Sequence, residues 1–259
     1  MKLKTVFILS HLLAVSTLSF AQSPNKISVN VEFGGNQVNT SLNEKWNIRQ
    51  DVGPYYYESG SSNIAVSPYM FVSHLGIKPE IAFFENKLAL SSGLRFSNIS
   101  SDLSIIGQSA EKNKFFYLRY HSTGLDTEFA RVRSISESSN YLGIPFDVKL
   151  IPFSISQFNF YLKTGVELNF KVGSKTNIDF VSEEMKGFEN SIIENIGVKV
   201  NSLYSTWTTA LGVRFGSKDK LKYKLEFLLP SFFITKNYST LVNGDMFTGF
   251  QCAIQLPVK

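Results

Sequence analysis

The sequence has few of the residues that build disulfide frameworks, metal centres or proton-transfer sites. Its single cysteine, Cys252, cannot form an internal disulfide, and only three histidines occur among 259 residues. After Ala21 no apolar run reaches the roughly 20 residues that a membrane-spanning helix needs. The charges are mixed, with 26 basic and 21 acidic residues, and so small an excess predicts no nucleic-acid partner. These absences argue against a disulfide-stapled scaffold and a helical membrane protein.

The N-terminus has the pattern of an export signal. The basic stretch MKLK precedes an apolar segment that ends in Ser19-Phe20-Ala21, a small-x-small cleavage site. We therefore predict a signal peptide over residues 1–21 and an exported domain over residues 22–259. A retained membrane helix is the weaker alternative, because polar residues such as Ser10 and His11 interrupt the apolar segment.

Strict alternation is the strongest structural signal in the chain. In Phe158–Val172, FNFYLKTGVELNFKV, every second residue is apolar or Thr, and most residues between are Asn, Lys, Gly or Glu. This period of two predicts a β-strand with one apolar and one polar face. At about 3.3 Å per residue the segment spans roughly 50 Å, far longer than an ordinary strand.

Eight segments with this period predict an even-stranded meander. They are Lys26–Gly35, Leu75–Phe84, Leu88–Ile99, Asn140–Ile151, Phe158–Gly173, Leu203–Gly216, Leu221–Ile234 and Met246–Val258. Three connections between them are short, at residues 85–87, 152–157 and 217–220. The other four are long and polar, at residues 36–74, 100–139, 174–202 and 235–245. Short and long connections alternate, as in transmembrane barrels with short periplasmic turns and long extracellular loops.

A soluble lipocalin-like barrel would show the same alternation with inside and outside exchanged. Three features favour the membrane: the length of the strands, the glycines among charges on the polar face, and aromatic residues near both strand ends. The aromatic residues assigned to two interfacial girdles are Phe153, Phe158, Phe160, Phe215 and Tyr223 at the turn end, and Tyr141, Trp207, Phe232, Phe233 and Phe247 at the loop end. We predict an all-β fold, an eight-stranded antiparallel up-and-down transmembrane β-barrel, in contact with outer-membrane lipid in the cell outer membrane.

The segment Tyr141–Leu150, YLGIPFDVKL, resembles a strand of the outer-membrane β-barrel family of Bacteroidota known as PorT-like. Leu90–Phe96, LSSGLRF, and Gly165-Val166-Glu167 are similar to two further strands of that family. The resemblance implies an outer-membrane barrel, usually without a defined activity, and some relatives assist protein secretion. Many outer-membrane proteins end in an aromatic residue that the insertion machinery reads, whereas this sequence ends in Leu256-Pro257-Val258-Lys259.

The polar strand faces predict a charged lumen. The inward positions chosen as a charge network are Glu32, Glu80, Arg95, Asp147, Lys149, Lys163, Glu167, Arg214, Lys224 and Glu226. The interior of an eight-stranded barrel is just wide enough for side chains to fill it, so confined charges must pair or keep water. We expect a wet salt-bridge network that fixes strand register, with a conducting pore as the alternative. Pro79 and Pro145, both assigned to the inward face, are expected to interrupt their ladders.

The sequence contains no motif that predicts a catalytic, metal or cofactor site. After Ala21 the histidines are His74 and His121, both assigned to surface loops, and neither shows triad or metal-ligand spacing. We therefore expect no enzyme activity, no metal and no cofactor. A lipid-modifying enzyme that uses one of these histidines is the alternative.

The first long loop carries the clearest candidate contact site. Tyr55, Tyr56 and Tyr57 follow a Gly-Pro turn, and tyrosine is favoured at binding surfaces because it offers rigid contact area with a polar group. These rings either cap the barrel mouth or contact an extracellular ligand or partner protein. The function expected from the sequence is a structural or binding outer-membrane barrel; a PorT-like accessory of secretion and a small-solute pore are the alternatives.

Overall fold

The computed structural model describes residues 26–49, 65–106, 115–123, 126–197, 199–217 and 220–258. Within them, eleven antiparallel strands form one sheet. The strands are β1 (Lys26–Leu42), β2 (Ile48–Arg49), β3 (Ala65–Phe83), β4 (Leu88–Ser92), β5 (Leu94–Ile106), β6 (Phe116–Thr123), β7 (Asp126–Ile155), β8 (Phe158–Phe180), β9 (Leu203–Phe215), β10 (Lys222–Phe233) and β11 (Val242–Pro257). The helices are two 3-10 turns, Glu44–Trp46 and Glu183–Phe188, and α1 (Glu189–Ile196).

The sheet closes into a ring. β1 pairs with β3 on one side and with β11 on the other, and the remaining neighbours follow chain order from β7 to β11. β4 and β5 occupy a single place between β3 and β7, since only Gly93 separates them in the chain and the register is the same before and after it. The ring therefore has eight strands, which confirms the predicted antiparallel barrel.

The short connections lie together at one end, which we call the turn end. Tight turns join β3 to β4 and β7 to β8, and their residues Glu85, Asn86 and Ser156 have positive φ angles. The first and last strands also meet here, where the Val258 amide donates to the Ile27 carbonyl. The three short connections lie where they were predicted, although β7 runs on to Ile155 and shortens the second one to residues 156–157.

The long connections were predicted wrongly in part, because several strands continue well beyond the predicted limits. β1 runs on to Leu42, β3 begins at Ala65, and β7 begins at Asp126. The alternation continues through these extensions, but apolar and polar residues exchange faces. In β3 the inward residues change from Glu80 and Lys78 to Met70 and Val66. The outer face of the extensions carries polar residues, such as Ser136 and Ser138 of β7, beside a few aromatic ones, such as Tyr69 and Phe71 of β3, which hid the extensions in the sequence pattern.

This exchange divides the molecule into two parts. Around the strand segments near the turn end the outer face carries exposed apolar side chains, among them Leu75, Ile77, Leu94, Phe96, Leu142, Val148, Leu162, Leu168, Leu211, Leu225 and Ile254, which we call the apolar belt. Beyond the belt lies what we call the head: the far ends of the long strands together with β2, β6 and α1. Its interior is an apolar core that includes Trp46, Met70, Ile99, Leu103, Phe116, Leu118, Val132, Ile135, Ile178, Ile192 and Leu241.

The aromatic residues only partly follow the girdle predicted for them. At the turn end Phe153 stacks on Phe160 with ring centroids 5.1 Å apart, and Phe215 stacks on Tyr223 at 5.6 Å. At the other edge of the belt, Trp207 and Phe232 are exposed on the outer face, whereas Tyr141, Phe233 and Phe247 belong to the interior. These three were assigned by position along the strand, which does not separate the two faces near a bulge.

Helix α1 was missed in what had been predicted as a loop. Ile192 and Ile196 share one helical face toward the core, and Gly197 ends the helix with a left-handed φ of 67°. Glu189 fixes its start against the sheet, because its Oε1 accepts from the Ile178 amide at 2.6 Å. Among the described residues, no helix is long and apolar enough to cross a membrane.

The head core supplies the first test. Leu103 is fully buried there, and truncating a buried leucine to alanine typically costs about 2–5 kcal/mol. We expect Leu103→Ala to lower the protection of head amides against hydrogen exchange, while belt amides stay protected. Ser104→Ala, on the outer face of the same strand, is the control. Equal exchange in both variants would contradict a packed core in the head.

Candidate functional site

All ten residues of the predicted charge network have side chains that point into the barrel, and each residue is at most 7% exposed. Lys78 also lies among them and is fully buried. The charges occupy the barrel beneath the apolar belt in two groups. We call the group nearer the turn end the lower tier and the group nearer the head the upper tier.

The lower tier is centred on two carboxylates. Glu80 accepts from Lys149 at 2.8 Å and from Lys224 at 2.8 Å, with Arg214 at 3.9 Å. Glu226 pairs with Lys163 and accepts from the Tyr161 hydroxyl at 2.8 Å; Lys149 lies 3.7 Å away. Two anions thus hold four cations in a space closed to bulk water.

The upper tier has the opposite balance. Lys78 binds Glu32 and Asp147, both at 2.6 Å. Arg95 binds Glu32 and donates from Nη1 to Glu167 Oε2 at 2.5 Å. This tier therefore holds three carboxylates and two cations.

Amide side chains join the tiers and tie the closing strands to them. Asn30 donates to the Lys78 carbonyl at 3.1 Å and accepts from Lys224 at 2.7 Å. From β11, Gln251 donates to Glu32 at 2.7 Å and Gln255 donates to Glu80 at 2.9 Å. A buried charge without a partner costs several kcal/mol, so these contacts make the filled lumen stable rather than strained.

Glycines make room for the long side chains in this narrow space. A β-carbon at each of several lumen glycines would collide with a polar side chain of the neighbouring strand. The pairs are Gly34 with His74, Gly143 with Glu167, Gly165 with Asp147, Gly212 with Tyr161, and Gly249 with Asn36. Mid-strand glycine normally weakens a strand; here it lets a charged or aromatic group lie flat against the wall.

Both prolines interrupt a ladder as expected, because Lys78 and Pro79 of β3 and Ile144 and Pro145 of β7 have no partner on the side of β4 and β5. Pro79 lies on the outer face and stays in register with Val29, so its assignment to the lumen was wrong. Pro145 does face the lumen, yet it keeps its place opposite Glu167 in the β7–β8 ladder. The break falls on the other side of β7, where Gly93 lies opposite Pro145 and the pairing lapses. Proline has no N–H to donate, which accounts for a gap on that side.

The segment between β10 and β11 closes the barrel from the head side. Residues 238–241 are buried, and we call them the plug. The Glu137 carboxylate accepts from the Thr240 amide at 2.9 Å, while Trp46 Nε1 and Asn43 Nδ2 donate to the Thr240 carbonyl at 2.8 and 2.9 Å. Tyr238 stacks on Phe233 with ring centroids 3.9 Å apart. Burial raises the pKa of the Tyr238 hydroxyl, which keeps it a neutral donor to the Gly244 carbonyl.

The plug was not foreseen, although one signal was present. Continuing the period of two from Tyr141 places Glu137 inward, and in the structure it is 2% exposed. A carboxylate at an inward position predicts a buried hydrogen-bond donor or cation beside it. Its partner Thr240 is 103 residues away in a segment without periodicity, so the pairing itself could not be read from the sequence.

A small cavity separates the upper tier from the plug. It has a volume of about 20 Å³, which is room for roughly one water molecule. Its walls include Asn36, Arg95, Glu167, Asn169 and Thr206. Filled tiers below and the plug above leave no continuous passage among the described residues.

The two histidines after Ala21 lie in different parts of the described chain. His74 was assigned to a surface loop; it lies inside the barrel in β3, where Nε2 is 3.2 Å from the amide oxygen of Gln251. His121 lies in β6, where its backbone is opposite Glu128 in the pairing with β7. No group of three or more His, Cys, Asp or Glu side chains within the described residues could hold a metal ion.

Two predicted features lie outside the described residues. Tyr55, Tyr56 and Tyr57 fall in residues 50–64, and the signal peptide falls in residues 1–25. Cys252 lies on the outer face beside Phe250 and Ile254 and is partly exposed.

Comparison with protein-family models gives no match, and neither does comparison with curated proteins. Among solved structures, the outer membrane protein OprG from Pseudomonas aeruginosa is similar, with a TM-score of 0.40, 11% identity, and coverage of 90% of this chain and 97% of that one. The translocator domain of the autotransporter NalP from Neisseria meningitidis has a TM-score of 0.29 and 8% identity, with coverage of 98% and 95%. The transport unit of the autotransporter AIDA-I from Escherichia coli has a TM-score of 0.26 and 6% identity, with coverage of 98% and 97%. TM-scores this low carry no argument about what this chain does.

The lower tier generates a stability prediction. Glu80→Gln removes the anion that Lys149 and Lys224 share, and breaking a buried pair in this way costs about 3–5 kcal/mol. We expect a correspondingly lower free energy of unfolding in urea, measured on the folded protein in detergent. Asp179→Asn breaks the half-exposed pair with Arg133 and is expected to cost at most about 1 kcal/mol. If both variants unfold alike, the lumen charges do not hold the barrel together.

Proposed function

We propose that the chain is an integral outer-membrane β-barrel protein that is not an enzyme and whose head binds an extracellular ligand or partner protein. The observation that carries the proposal is the exchange of faces at the edge of the apolar belt. A barrel that is apolar outside and charged inside suits lipid, whereas a head that is polar outside and apolar inside suits water. A soluble lipocalin-like barrel would have no reason to expose the belt.

The filled lumen argues against the small-solute pore. Both tiers and the plug would have to rearrange before a solute could pass, and each holds its charges or amides in several hydrogen bonds. Conduction needs binding that is weak enough to release the solute. The barrel is better suited to act as a rigid scaffold for the head.

The head is the element to which binding is assigned. It is a folded unit with its own core and helix, and surface elements on a rigid scaffold commonly carry function. The loop that contains Tyr55, Tyr56 and Tyr57 begins at β2 and ends at β3, both of which belong to the head. Outer-membrane lipid and the insertion machinery are the further partners implied by this proposal.

An accessory role in secretion is the second candidate. It is supported by the resemblance of Tyr141–Leu150 to PorT-like barrels. In this structure that strand segment builds the lumen through Asp147 and Lys149, so the resemblance concerns barrel construction. The folded head is compatible with a protein partner in either role.

Membrane insertion predicts that a lysine introduced on the outer face destabilises the protein in the belt but not in the head. Leu168→Lys places a charge on the exposed belt position of β8 and is expected to destabilise the inserted barrel by about 2–4 kcal/mol near the bilayer midplane. Ser138→Lys, on the exposed outer face of β7 in the head, is expected to be nearly neutral. Folding into lipid vesicles with heat-modifiable gel mobility measures both. Recovery of the wild-type protein as a soluble species without detergent would rule out the membrane proposal.

The binding proposal is tested by removing residues 52–60 and, separately, by replacing His74 and His121 with Ala. We expect the deletion to abolish binding of a copurifying partner while heat-modifiable assembly is unchanged, and the histidine variant to leave partner binding and the lipid profile unchanged. A deletion without effect, together with an altered lipid profile in the histidine variant, would replace the binding proposal with the enzyme alternative.

A further inference from the structure

The outer surface of the head continues directly from the apolar belt on four neighbouring strands. The outward residues of β3, β5, β7 and β8 lie opposite one another in four rows, and we call this surface the outer sheet face. Its members are Ser67, Tyr69, Phe71 and Ser73 of β3, Asn98, Ser100, Asp102 and Ser104 of β5, Ser134, Ser136, Ser138 and Asn140 of β7, and Lys175, Asn177 and Asp179 of β8. The first row begins two residues beyond the belt residues Leu75, Phe96 and Leu142 on the same strands.

The composition of the outer sheet face is not what strand stability favours. Threonine and aromatic residues suit exposed strand positions, whereas asparagine and aspartate are depleted in strands. Here asparagine or aspartate occupies five positions, and serine fills most of the others. Departures from local preference are expected where a surface has a function.

Two exposed aromatic rings lie on the β3 side of this face. Tyr69 is 48% exposed and Phe71 is 37% exposed, and Phe71 is held against the barrel wall over Gly35, where a β-carbon would collide with the ring. The free side of such a ring can stack on the C–H face of a sugar. Asp102 lies opposite Tyr69, and burial raises the pKa of its carboxyl. Sugar hydroxyls would replace the water that this carboxylate has lost.

The rows nearest the belt supply amides, a hydroxyl and a cation. Asn98 Nδ2 donates to Ser138 Oγ and to Asn140 Oδ1, both at 2.8 Å, so these side chains are ordered before a ligand arrives. Lys175 is exposed and lies opposite Ser138. A lysine ammonium binds phosphate as a point charge. Aromatic rings, hydroxyl-binding groups and one cation together suit a phosphorylated sugar.

The height of the outer sheet face indicates how large the ligand is. From Asn98 to Ser104 the strand rises about 20 Å at about 3.3 Å per residue, which is roughly 14 Å along the membrane normal for a strand tilted by about 45°. The headgroup layer of an ordinary bilayer is only about 5–8 Å deep on each side. A phospholipid headgroup would therefore reach the first rows, whereas a headgroup of several sugars would cover all of them.

We propose that the outer sheet face binds the phosphorylated oligosaccharide headgroup of a glycolipid in the outer leaflet, while the acyl chains of that lipid lie on the apolar belt. Tyr69 and Phe71 stack on sugar rings, Asp102 and Asn140 bind hydroxyls, and Lys175 binds phosphate. The ligand is a membrane lipid rather than a free glycan because the belt and the face follow each other on the same four strands. The inference rests on the proposed membrane insertion and names a ligand class for the head.

The test compares a glycolipid with an anionic phospholipid. The folded protein in detergent is titrated with rough lipopolysaccharide, whose headgroup is a phosphorylated oligosaccharide, or with phosphatidylglycerol, and bound lipid is counted by native mass spectrometry. We expect saturable binding that is tighter for lipopolysaccharide. Tyr69→Ala and Lys175→Glu are each expected to weaken it by about fivefold to tenfold, as the loss of one good contact does. The matched controls Phe188→Ala and Lys45→Glu, at exposed head positions outside this face, should bind like the wild type.

Three results would overturn the proposal. They are equal affinity of the wild type and both face variants, lipopolysaccharide binding no tighter than that of phosphatidylglycerol, and binding of the deacylated oligosaccharide as tight as that of the whole lipid, which would mean a free glycan. Heat-modifiable mobility and insertion into phospholipid vesicles report separately whether the membrane barrel forms. A barrel that inserts but does not distinguish the two lipids would contradict this inference alone.

Discussion

A charge inside a closed barrel must meet its counter-charge there, and this constraint determines most of the structure. The lumen is too narrow to hydrate every charged side chain separately, so its eleven charged side chains, including Lys78, form ion pairs with one another. Glycines are needed where those groups lie against the wall, as at Gly165 beneath Asp147. Register is fixed as a result, because slipping a strand by one residue would turn its charges toward the apolar belt.

The same chain solves the opposite problem in the head. In the head the strands lie beyond the apolar belt. Their outer face is polar, and on their inner face Leu103 and Ile135 pack into a core. The strands pass from one regime to the other without interruption: β7 runs through both for 30 residues. The plug lies at this boundary and presents Leu241 to the core and the Thr240 backbone to Glu137.

The sequence was sufficient for the barrel because alternation reports which face a residue occupies. Strand number, the short turns and the inward position of Glu32, Arg95 and Lys224 follow from that period alone. It was insufficient where apolar and polar residues exchange faces. Beyond the belt β3 and β7 keep alternating, but with polar residues on the outer face, so these segments resemble polar loops in the sequence. Contacts that join distant segments, such as Thr240 with Glu137, depend on the closed ring and have no local signal. Pro79 was misplaced although the period of two places it on the outer face, because its neighbours Lys78 and Glu80 both point inward.

Closure of the ring by β1 and β11 also makes assembly cooperative. Glu32 meets Gln251 across 219 residues of chain, and Ser28 meets Gln255 across 227. Such non-local contacts form late and make folding slower. Until they form, an open sheet would carry the carboxylates of β1 and β3 without the amides of β11 and the lysine of β10. The last strand to dock thus completes the neutralisation of the lumen, so a partly closed intermediate gains little stability and the barrel reaches its final state as one unit.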